Sequence, residues 1–343
     1  MKKIVFTGGG TAGHIVPNLA IIDEIGNRAK IYYIGSNGLE KSMVKGKNIE
    51  FFEIPCTKLR RSLSLKNLLI PFVLLKSIFC AKKVLKKIKP DIIFSKGGFV
   101  SLPVVVAGKM LKIPIISHES DITMGLANRL VKNKSKIICT SFEKTALRLK
   151  NGLYTGTPLR KEIFFGNKEN AKKLFINYTP KPTILIFGGS LGSKTINETV
   201  LKSLDKLSDY NIIHIVGKNN QNSIKKDNYV CLEFTNQIAD LFALSSLVIS
   251  RAGSTSINEI LALKKPNILI PLSKKASRGD QILNSEYFKE KGYSKVILEE
   301  NLSQSSLVNA IKTVMQEKDK YISAMSSSPV PNATKTIAGL LLD

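Results

Sequence analysis

The sequence Leu247-Val-Ile-Ser-Arg-Ala-Gly-Ser-Thr-Ser-Ile-Asn-Glu259 joins a short apolar run, a turn with glycine and the start of a helix. Its first four residues predict a buried parallel strand. The next apolar residues share one helical face: Ile257, Ile260 and Leu261. The first N–H groups of such a helix can bind an anion. Ser256 and Glu259 have the spacing of a capping box, but the hydroxyls and the carboxylate also suit phosphates and a ribose diol.

The same strand, glycine loop and helix pattern occurs at the start of each half of the chain. Residues 3–7 predict a strand that leads into Gly8-Gly-Gly-Thr-Ala-Gly-His14, and residues 183–187 predict one that leads into Gly188-Gly-Ser-Leu-Gly-Ser193. Further strands are predicted at 31–34, 91–94, 113–117, 212–216, 229–232 and 267–270, with helices between them. This alternation indicates an α/β protein with two Rossmann-like, doubly wound parallel-sheet domains facing a cleft. We predict domains at 1–162 and 163–325, with a C-terminal helix at about 326–343 that packs back on the first.

The 343-residue chain is strongly basic, with 52 Lys and Arg against 26 Asp and Glu and a formal net charge of +26. Such a balance favours anionic partners: nucleic acid, acidic lipid or phosphorylated small molecules. The four dispersed cysteines form no C-x-x-C pattern, which indicates a reducing compartment and no disulfide framework or zinc site. The chain starts without a signal-peptide pattern, and its longest apolar run, 68–80, is too short to span a bilayer. We therefore expect a cytoplasmic protein, soluble or peripheral to a membrane.

The first glycine loop satisfies G-x-G-x-x-G, but no acidic residue ends the strand predicted at 31–34. An NAD site needs that acid for the ribose, so the loop is interpreted as a cradle for a diphosphate or sugar phosphate. His14 follows at the helix start, where the positive end of the helix lowers the pKa of a histidine. It is either a polar helix-opening residue or a neutral general base.

The stretch 57–89 contains ten cations and no acidic residue, and its apolar residues are mixed with them. The cations are Lys58, Arg60, Arg61, Lys66, Lys76, Lys82, Lys83, Lys86, Lys87 and Lys89. This composition suits the interface of an anionic membrane, with 63–79 as its apolar part. The alternative is a core helix with a solvated lysine face.

The segment His118-Glu-Ser-Asp121 follows another predicted strand. Its spacing lacks the i, i+4 order of a helical metal site, so we expect acceptor contacts or internal hydrogen bonds instead. No D-x-D sequence occurs in the chain. A diphosphate leaving group would then be stabilised by helix N-termini, hydroxyls and a cation such as Arg160, without a metal.

Seven motifs in order resemble those of the MurG family, peptidoglycan N-acetylglucosaminyltransferases of the GT-B fold. They begin at Gly8, Ser95, His118, Gly156, Gly188, Ser250 and Asp280. The resemblance implies inverting transfer of GlcNAc from UDP-GlcNAc to the C4 hydroxyl of MurNAc in undecaprenyl-diphosphate-MurNAc-pentapeptide (lipid I), which gives lipid II. It implies no cofactor, a base but no protein nucleophile, and a peripheral location on the cytoplasmic face of the cell membrane. Partners among cell-wall synthesis and division proteins are also implied.

The resemblance also assigns residues to the two substrates. The second domain would bind UDP-GlcNAc, with Glu259 on the ribose hydroxyls. The other donor-site positions are Arg160, Ser190, Thr235, Ser254, Thr255, Ser256, Gln281 and Asn284. Thr11, Ala12 and Gly13 would face the donor sugar and the acceptor diphosphate, and His14 and Asp121 are the candidates for the base. Many family members have Asn at position 121, which leaves a base role open for Asp121.

Other protein classes account for fewer of these features. A non-hydrolysing UDP-GlcNAc epimerase shares the fold type but gives no reason for the acid-free stretch 57–89. An NAD-dependent dehydrogenase would need the missing acid. A nucleic-acid-binding protein would explain the charge, but the chain has no Trp and no known binding module. A non-catalytic membrane scaffold would leave two glycine loops unexplained.

Overall fold

The computed structural model describes residues 1–47, 49–56, 70–189, 192–274, 277–329 and 332–343, with the backbone alone for Ile70. The chain forms two compact units. Unit 1 comprises Met1–Arg160 and Val330–Asp343, and unit 2 comprises Lys161–Pro329. The first unit is therefore built from both ends of the chain.

Unit 1 contains a seven-stranded parallel sheet. Its strands are β1 (Lys2–Thr7), β2 (Ala29–Gly35), β3 (Glu50–Glu53), β4 (Ile92–Ser95), β5 (Ile115–Glu119), β6 (Ile137–Thr140) and β7 (Gly152–Tyr154). They lie in the order β3-β2-β1-β4-β5-β6-β7. The chain thus winds outward from β1 and returns to its other side at β4, which creates a topological switch point between these two strands. Ligands of doubly wound folds bind outside the carboxyl ends of the strands at such a point.

Unit 2 repeats this arrangement with six parallel strands. They are β8 (Thr183–Phe187), β9 (Asn211–Ile215), β10 (Tyr229–Leu232), β11 (Leu247–Ser250), β12 (Asn267–Leu269) and β13 (Lys295–Val296). Their order is β10-β9-β8-β11-β12-β13, so the switch point lies between β8 and β11. Both strands are buried along their whole length, as the continuous apolar runs predict.

The helices connect and cover these strands. Their bounds are α1 (Ala12–Ile25), α2 (Leu39–Val44), α3 (Ile70–Ile88), α4 (Ser101–Met110), α5 (Leu126–Val131), α6 (Glu143–Ala146), α7 (Lys168–Lys172), α8 (Lys194–Ser203), α9 (Ile238–Leu244), α10 (Ser254–Ala262), α11 (Asp280–Glu290), α12 (Gln304–Gln316), α13 (Lys318–Ser326) and α14 (Ala333–Leu342). Within the described ranges, no helix has the length and hydrophobicity needed to cross a membrane.

Helices cover both faces of the sheet in unit 1. On one face, α3, α4 and α5 contribute side chains to a common core, among them Leu85, Val104 and Val131. On the other face, α1 packs against α14, whose Ile337 and Leu341 are fully buried. The C-terminal helix thus completes the core of the unit that the N-terminus begins.

The predicted fold class, two doubly wound parallel-sheet domains, is confirmed. The sequence prediction missed four strands. Three of them, β3, β7 and β13, are edge strands of two to four residues, too short for a periodic pattern. The capping box at Ser256 is wrong, because α10 begins at Ser254 with Gly253 as its N-cap. Ser256 therefore lies inside the first turn and cannot be the N-cap.

Candidate active site

Each switch point is lined by two of the motifs found in the sequence. In unit 1 the first glycine loop follows β1, and Ser95-Lys-Gly-Gly98 ends β4, which pairs with β1 through Thr7 and Ser95. In unit 2 the second glycine loop follows β8, and Arg251-Ala-Gly253 follows β11, which pairs with β8. Parallel pairing places the carboxyl end of each pair at one edge, so the motifs of each unit come together there.

Close packing explains the glycines of the first loop. A Cβ atom on Gly10 would lie 2.5 Å from the Phe99 ring, and the residue has a φ of +85°. A Cβ atom on Gly9 would lie 2.6 Å from the carboxyl carbon of Glu40. No larger side chain fits at either position without displacing its neighbour. The loop is therefore a fixed structure held between α2 and the loop after β4.

The helix that follows exposes its first turn at this edge. Thr11 is the N-cap of α1, with an extended backbone, and its side chain makes no capping hydrogen bond. Ala12 and Gly13 are the first two helical residues, and the amide of His14 donates to the carbonyl of Thr11 at 3.1 Å. The His14 ring lies against Gly98, where its Cδ2 would be 3.1 Å from an added Cβ. All four predicted residues thus lie at the switch point of unit 1.

The loop after β5 is organised by Glu119, which is buried. One carboxylate oxygen accepts from the amides of Ser120 (2.9 Å) and Asp121 (3.1 Å), and the other from the amide of Gly125 (2.9 Å) and Nδ2 of Asn128 (2.8 Å). Burial and the nearby charge of Asp121 raise the pKa of Glu119 above its usual value. The expected internal hydrogen bonds are confirmed for Glu119, which fixes the backbone of the candidate base Asp121.

Lys96 is a buried cation that the sequence reasoning did not single out, although it lies in the motif that begins at Ser95. A Cβ atom on Gly8 would lie 3.0 Å from the Cβ of Lys96, and the Lys96 Nζ donates to Ser120 Oγ. Burial lowers the pKa of Lys96 to about 8, against the opposing effect of Glu119 and Asp121. The side chain therefore extends from the first glycine loop to the loop after β5.

His118 has a structural role. It is fully buried, and its Nε2 lies 2.9 Å from the carbonyl oxygen of Gly156. Burial, followed by the charge of Lys96, holds the pKa of His118 well below its usual value, so the ring is neutral. Its contact fixes the motif that begins at Gly156.

Glu40 was also missed, because it stands five residues after the end of β2 and outside any motif. Its side chain is fully buried and accepts hydrogen bonds from the amides of Ser36 (2.8 Å) and Gly10 (3.3 Å) and from the Ser36 hydroxyl. A carboxylate does therefore reach the first glycine loop, although no acid ends the second strand. These internal hydrogen bonds distinguish it from the ribose-binding acid of an NAD site.

In unit 2 a buried arginine connects the loops at the carboxyl edge. Arg251 donates to the carbonyls of Ile270 and Pro271, each at 3.2 Å, to Ser193 Oγ at 2.7 Å, and to the Glu299 carboxylate. The guanidinium thereby connects the ends of β8, β11 and β12. Because its donors are used in this way, Arg251 braces the site and its charge is paired inside the protein.

The predicted donor residues are distributed over several loops of unit 2. Ser254 and Glu259 are buried in α10, and Thr255 and Ser256 are half-buried in its first turn. On α11, the Gln281 side chain accepts from the amide of Leu272 at 3.0 Å, and buried Asn284 donates to the carbonyl of Ala252 at 3.4 Å. Helix α11 is thus attached to the loops after β12 and β11, and all six residues lie at one edge.

The other three predicted donor residues are not on these two helices. Thr235 follows β10, two strands away from β8, and its hydroxyl accepts from the amide of Gln237 at 2.9 Å. Arg160 is the last residue of the N-terminal part of unit 1 and is half-buried. Ser190 lies outside the described residues. The structure therefore gathers six of the nine predicted donor residues on α10 and α11 of unit 2, and Thr235 lies on a further loop of the same unit.

Two family models match the chain. The glycosyltransferase family 28 N-terminal domain matches residues 4–140, and the C-terminal domain of the same family matches residues 183–339. The chain belongs to glycosyltransferase family 28. Within this family it is 50% identical, over 349 residues and 99% of each chain, to the UDP-N-acetylglucosamine–N-acetylmuramyl-(pentapeptide) pyrophosphoryl-undecaprenol N-acetylglucosamine transferase of Clostridium botulinum (strain Loch Maree / Type A3).

Solved structures agree with this family 28 assignment. The crystal structure of Acinetobacter baumannii MurG is similar with a TM-score of 0.80 and 25% identity over 99% of both chains. The UDP-GlcNAc 2-epimerase of Neisseria meningitidis has a TM-score of 0.69 and 16% identity over 100% of both chains. The second likeness shows a common fold alone. The family resemblance predicted from the seven motifs is therefore confirmed.

Proposed function

We propose that this chain transfers GlcNAc from UDP-GlcNAc to the C4 hydroxyl of MurNAc in lipid I and so forms lipid II. The observation that carries the proposal is the 50% identity, over 99% of both chains, to a transferase named for this reaction. The glycine loops at the two switch points support it, because they provide one anion-binding edge for each of two diphosphate substrates.

We assign the donor to unit 2. The N-terminus of α10 points its first amides out of the edge at the switch point, where they suit the diphosphate of UDP. Glu259, one turn later on the same helix, has the chemistry to bind the ribose hydroxyls. Gln281 and Asn284 are held against the neighbouring loops by hydrogen bonds of 3.0 and 3.4 Å. The donor edge is therefore prepared before the nucleotide binds.

We assign the acceptor and the general base to unit 1. In the reaction the C4 oxygen forms a bond to C1 of GlcNAc, the bond from C1 to the diphosphate oxygen breaks, and its electron pair leaves with UDP. The hydroxyl proton passes to a base. His14 and Asp121 remain the two candidates for this role, since both lie at the carboxyl edge beside β4.

A direct assay tests the proposal. Purified protein is incubated with labelled UDP-GlcNAc and a short-chain lipid I analogue, and the product is identified by its mass. Label transferred to the analogue is the expected result. Conversion of UDP-GlcNAc to its C2 epimer without transfer would favour the epimerase, to which the structure has a fold-level likeness. If neither product forms, both the transferase and the epimerase function are contradicted.

We further propose that unit 1 attaches to the cytoplasmic face of the membrane, through the outer face of α3. One face of this helix packs in the core with Ala81 and Leu85, whereas Phe72, Leu75 and Phe79 are 71%, 54% and 65% exposed. Exposed cations accompany these apolar side chains on the same helix: Lys76 lies among them, and Lys83, Lys86 and Lys87 lie in the second half of the helix. A helix with exposed aromatic residues beside cations can insert the former among lipids and hold the latter at anionic headgroups.

Neighbouring helices extend this surface. Helix α4 packs against both α3 and α5. Exposed apolar side chains continue on α4, at Met110, and on α5, at Leu126 and Leu130. Arg129 of α5 is exposed beside the latter two. Each cation near an anionic surface contributes about 1 kcal/mol, so Lys83, Lys86, Lys87 and Arg129 together give about 4 kcal/mol. Together with the apolar insertion this is enough for reversible attachment. The predicted cations at 58–66 lie outside the described residues.

Replacing Lys82, Lys83, Lys86 and Lys87 by Glu should release the protein from vesicles that contain anionic phosphatidylglycerol, as measured by sedimentation. The charge reversal removes the attraction and adds repulsion from the headgroups, while UDP binding by unit 2 is unchanged. A matched control replaces four exposed lysines of unit 2 by Glu: Lys206, Lys225, Lys312 and Lys318.

The control has the same net charge as the test variant but keeps the outer face of α3. We expect it to stay on the vesicles. If both variants detach equally, the attraction comes from the overall charge of the protein. If the test variant stays bound, or the wild type never binds, α3 is a core helix with a solvated lysine face.

A further inference from the structure

His214 is a buried polar side chain of unit 2 that the proposed reaction leaves without a role. It is fully buried on β9, the strand that pairs with β8. Its ring Nε2 lies 3.1 Å from Oδ1 of Asn197, and its Nδ1 lies 3.1 Å from the hydroxyl of Tyr229. A buried ring nitrogen costs free energy unless it has such a partner. Because Asn197 belongs to α8, the first contact connects the sheet to the helix that follows the second glycine loop.

The direction of each hydrogen bond in this series is fixed. Nδ2 of Asn197 donates to the carbonyl of Val216 at 2.9 Å, and a carbonyl can only accept. The amide oxygen of Asn197 therefore faces His214, so Nε2 of the ring carries the proton. Burial lowers the pKa of His214 to about 4, so the ring is neutral near neutral pH and Nδ1 accepts from the Tyr229 hydroxyl. The contacts thus select one tautomer of the ring and one orientation of the Asn197 amide.

The carbonyl of Val216 is also in contact with the second glycine loop. Val216 follows β9 directly, and a Cβ atom on Gly192 would lie 1.9 Å from its oxygen. Gly192 has a φ of +74°, and its amide donates to the carbonyl of Gly189 at 2.9 Å, which closes the turn of the loop. The side chain of Asn197 and the turn at Gly192 therefore meet the same oxygen atom. Loss of the Asn197 contact would free this carbonyl and loosen the packing that holds Gly192.

The first turn of α8 is held from the other side by Arg251. Ser193 is the N-cap of the helix; its hydroxyl accepts from Arg251 at 2.7 Å, and its carbonyl accepts from the amide of Asn197 at 2.8 Å. The next two residues, Lys194 and Thr195, are exposed and carry the first amides of the helix, which are the amides that can bind an anion. Their direction at the carboxyl edge is therefore set by Arg251 from the side of β11 and by Asn197 from the side of β9.

We propose that His214 is a positioning residue: through Asn197, it holds the second glycine loop and the first turn of α8 in the conformation that binds the donor diphosphate. This inference rests on the proposed function and deepens it, because it names the residue that fixes one of the two helix N-termini at the donor edge. His214 is fully buried, so it acts without touching the nucleotide. Its loss should therefore weaken the binding of UDP and UDP-GlcNAc and leave acceptor binding in unit 1 unchanged.

His214→Leu tests the inference, because it removes both ring nitrogens and keeps an apolar side chain of similar size in the core. The Kd for UDP is measured by isothermal titration calorimetry, and the KM values for UDP-GlcNAc and the lipid I analogue by steady-state kinetics. We expect the first two constants to rise about 3- to 10-fold, as for the loss of a hydrogen bond between neutral groups, with the KM for the acceptor unchanged. His214→Gln places an amide N–H near the position of Nε2 and should retain most of the UDP affinity.

Asn211→Leu is the matched control, because Asn211 is fully buried at the other end of β9 and donates to the carbonyls of Thr179 and Lys181 at 2.7 and 3.3 Å. It should lower Tm and leave the Kd for UDP unchanged. The double variant His214→Leu/Asn197→Leu tests the route, since two residues that act through one contact have non-additive effects. We expect its Kd for UDP to equal that of Asn197→Leu alone.

A second measurement reports the state of the ring. The chain has three histidines, so ¹⁵N-histidine labelling gives a spectrum of three rings, and His214→Gln assigns one of them by its absence. We expect the Nε2–H tautomer for His214 at neutral pH. Tyr229→Phe removes the donor to Nδ1, so the second tautomer should appear, with a smaller rise in the Kd for UDP. This variant keeps the test decisive if His214→Leu does not fold.

The outcomes separate the inference from the proposed function. UDP binding without transfer by the wild type would overturn the proposed function, and the comparison of UDP affinities would still decide the role of His214. Transfer by the wild type, with a Kd for UDP in His214→Leu equal to that of Asn211→Leu, would overturn the inference alone. The Nδ1–H tautomer in the wild type, or additive losses in the double variant, would overturn the route through Asn197.

Discussion

Replacing Glu299 by Gln removes the charge that pairs with Arg251 at the carboxyl edge of the sheet in unit 2. The side chain of Arg251 is 10% exposed and that of Glu299 is 15% exposed. Glu299 also accepts a hydrogen bond from the amide of Ser273 at 3.2 Å. Removing one partner of a buried ion pair costs about 3–5 kcal/mol, because the other charge stays buried. Gln keeps an oxygen acceptor, so we expect the lower end, about 3 kcal/mol.

For a domain of this size, about 1 kcal/mol shifts Tm by roughly 2–4 °C, so Glu299→Gln should lower it by about 6–12 °C. Differential scanning calorimetry at pH 7 measures this change in Tm. The unfolding transition of unit 2 is identified as the one that added UDP shifts to a higher temperature. Glu317→Gln is the control, because its ion pair with Lys320 at 3.3 Å is exposed and such pairs contribute about 0–1 kcal/mol. A shift for Glu299→Gln that is no larger than the control would refute the bracing role of this pair.

The same pair predicts a pH dependence. Burial raises the pKa of Glu299, but the hydrogen bonds and charge of Arg251 outweigh it, and the net pKa lies below the usual value. The contribution to stability is therefore complete above the unfolded-state pKa of about 4.3 and is lost as pH falls through the lower folded-state pKa. The difference in Tm between the wild type and Glu299→Gln should accordingly shrink at acidic pH.

Two further substitutions address the donor and the buried lysine. Glu259→Ala should raise the KM for UDP-GlcNAc about 10- to 100-fold with little change in kcat, because a ribose hydrogen bond to a charged group is lost equally in the ground and transition states. Steady-state kinetics measure both constants. An unchanged KM would contradict the ribose role of Glu259. Lys96→Met should abolish a rise in stability with pH between about 8 and about 10.4, because burial lowers the folded-state pKa of Lys96 to about 8 and the unfolded state then binds more protons in this interval. Urea unfolding at pH 7.5 and 9.5 compares the two proteins, and an equal pH dependence in both would rule this out.

Local chemistry determined the features that the sequence revealed. A buried parallel strand is a continuous apolar run, and a turn with a positive φ at Gly10 favours glycine, so both can be recognised within a few residues. The alternation of such strands with helices indicated the doubly wound fold class, and the order of the motifs indicated the family. The start of α10 was misjudged, because Ser256 and Glu259 have the spacing of a capping box, whereas the helix begins two residues earlier, at Ser254, with Gly253 as its N-cap.

Contacts between distant parts of the chain decided the rest. Glu40 meets Gly10 across 30 residues and Arg251 meets Glu299 across 48, and no local pattern marks either pair. The burial of α14 against α1 likewise depends on the path of the whole chain. The sequence gives the charge of a side chain but not the residue with which it pairs. The partner of a buried charge depends on the order of the strands in the sheet, because that order decides which strand ends lie next to each other. The sequence therefore indicated the glycine loops and the strands that they follow, and the tertiary structure alone decided which charged residues hold those loops in place.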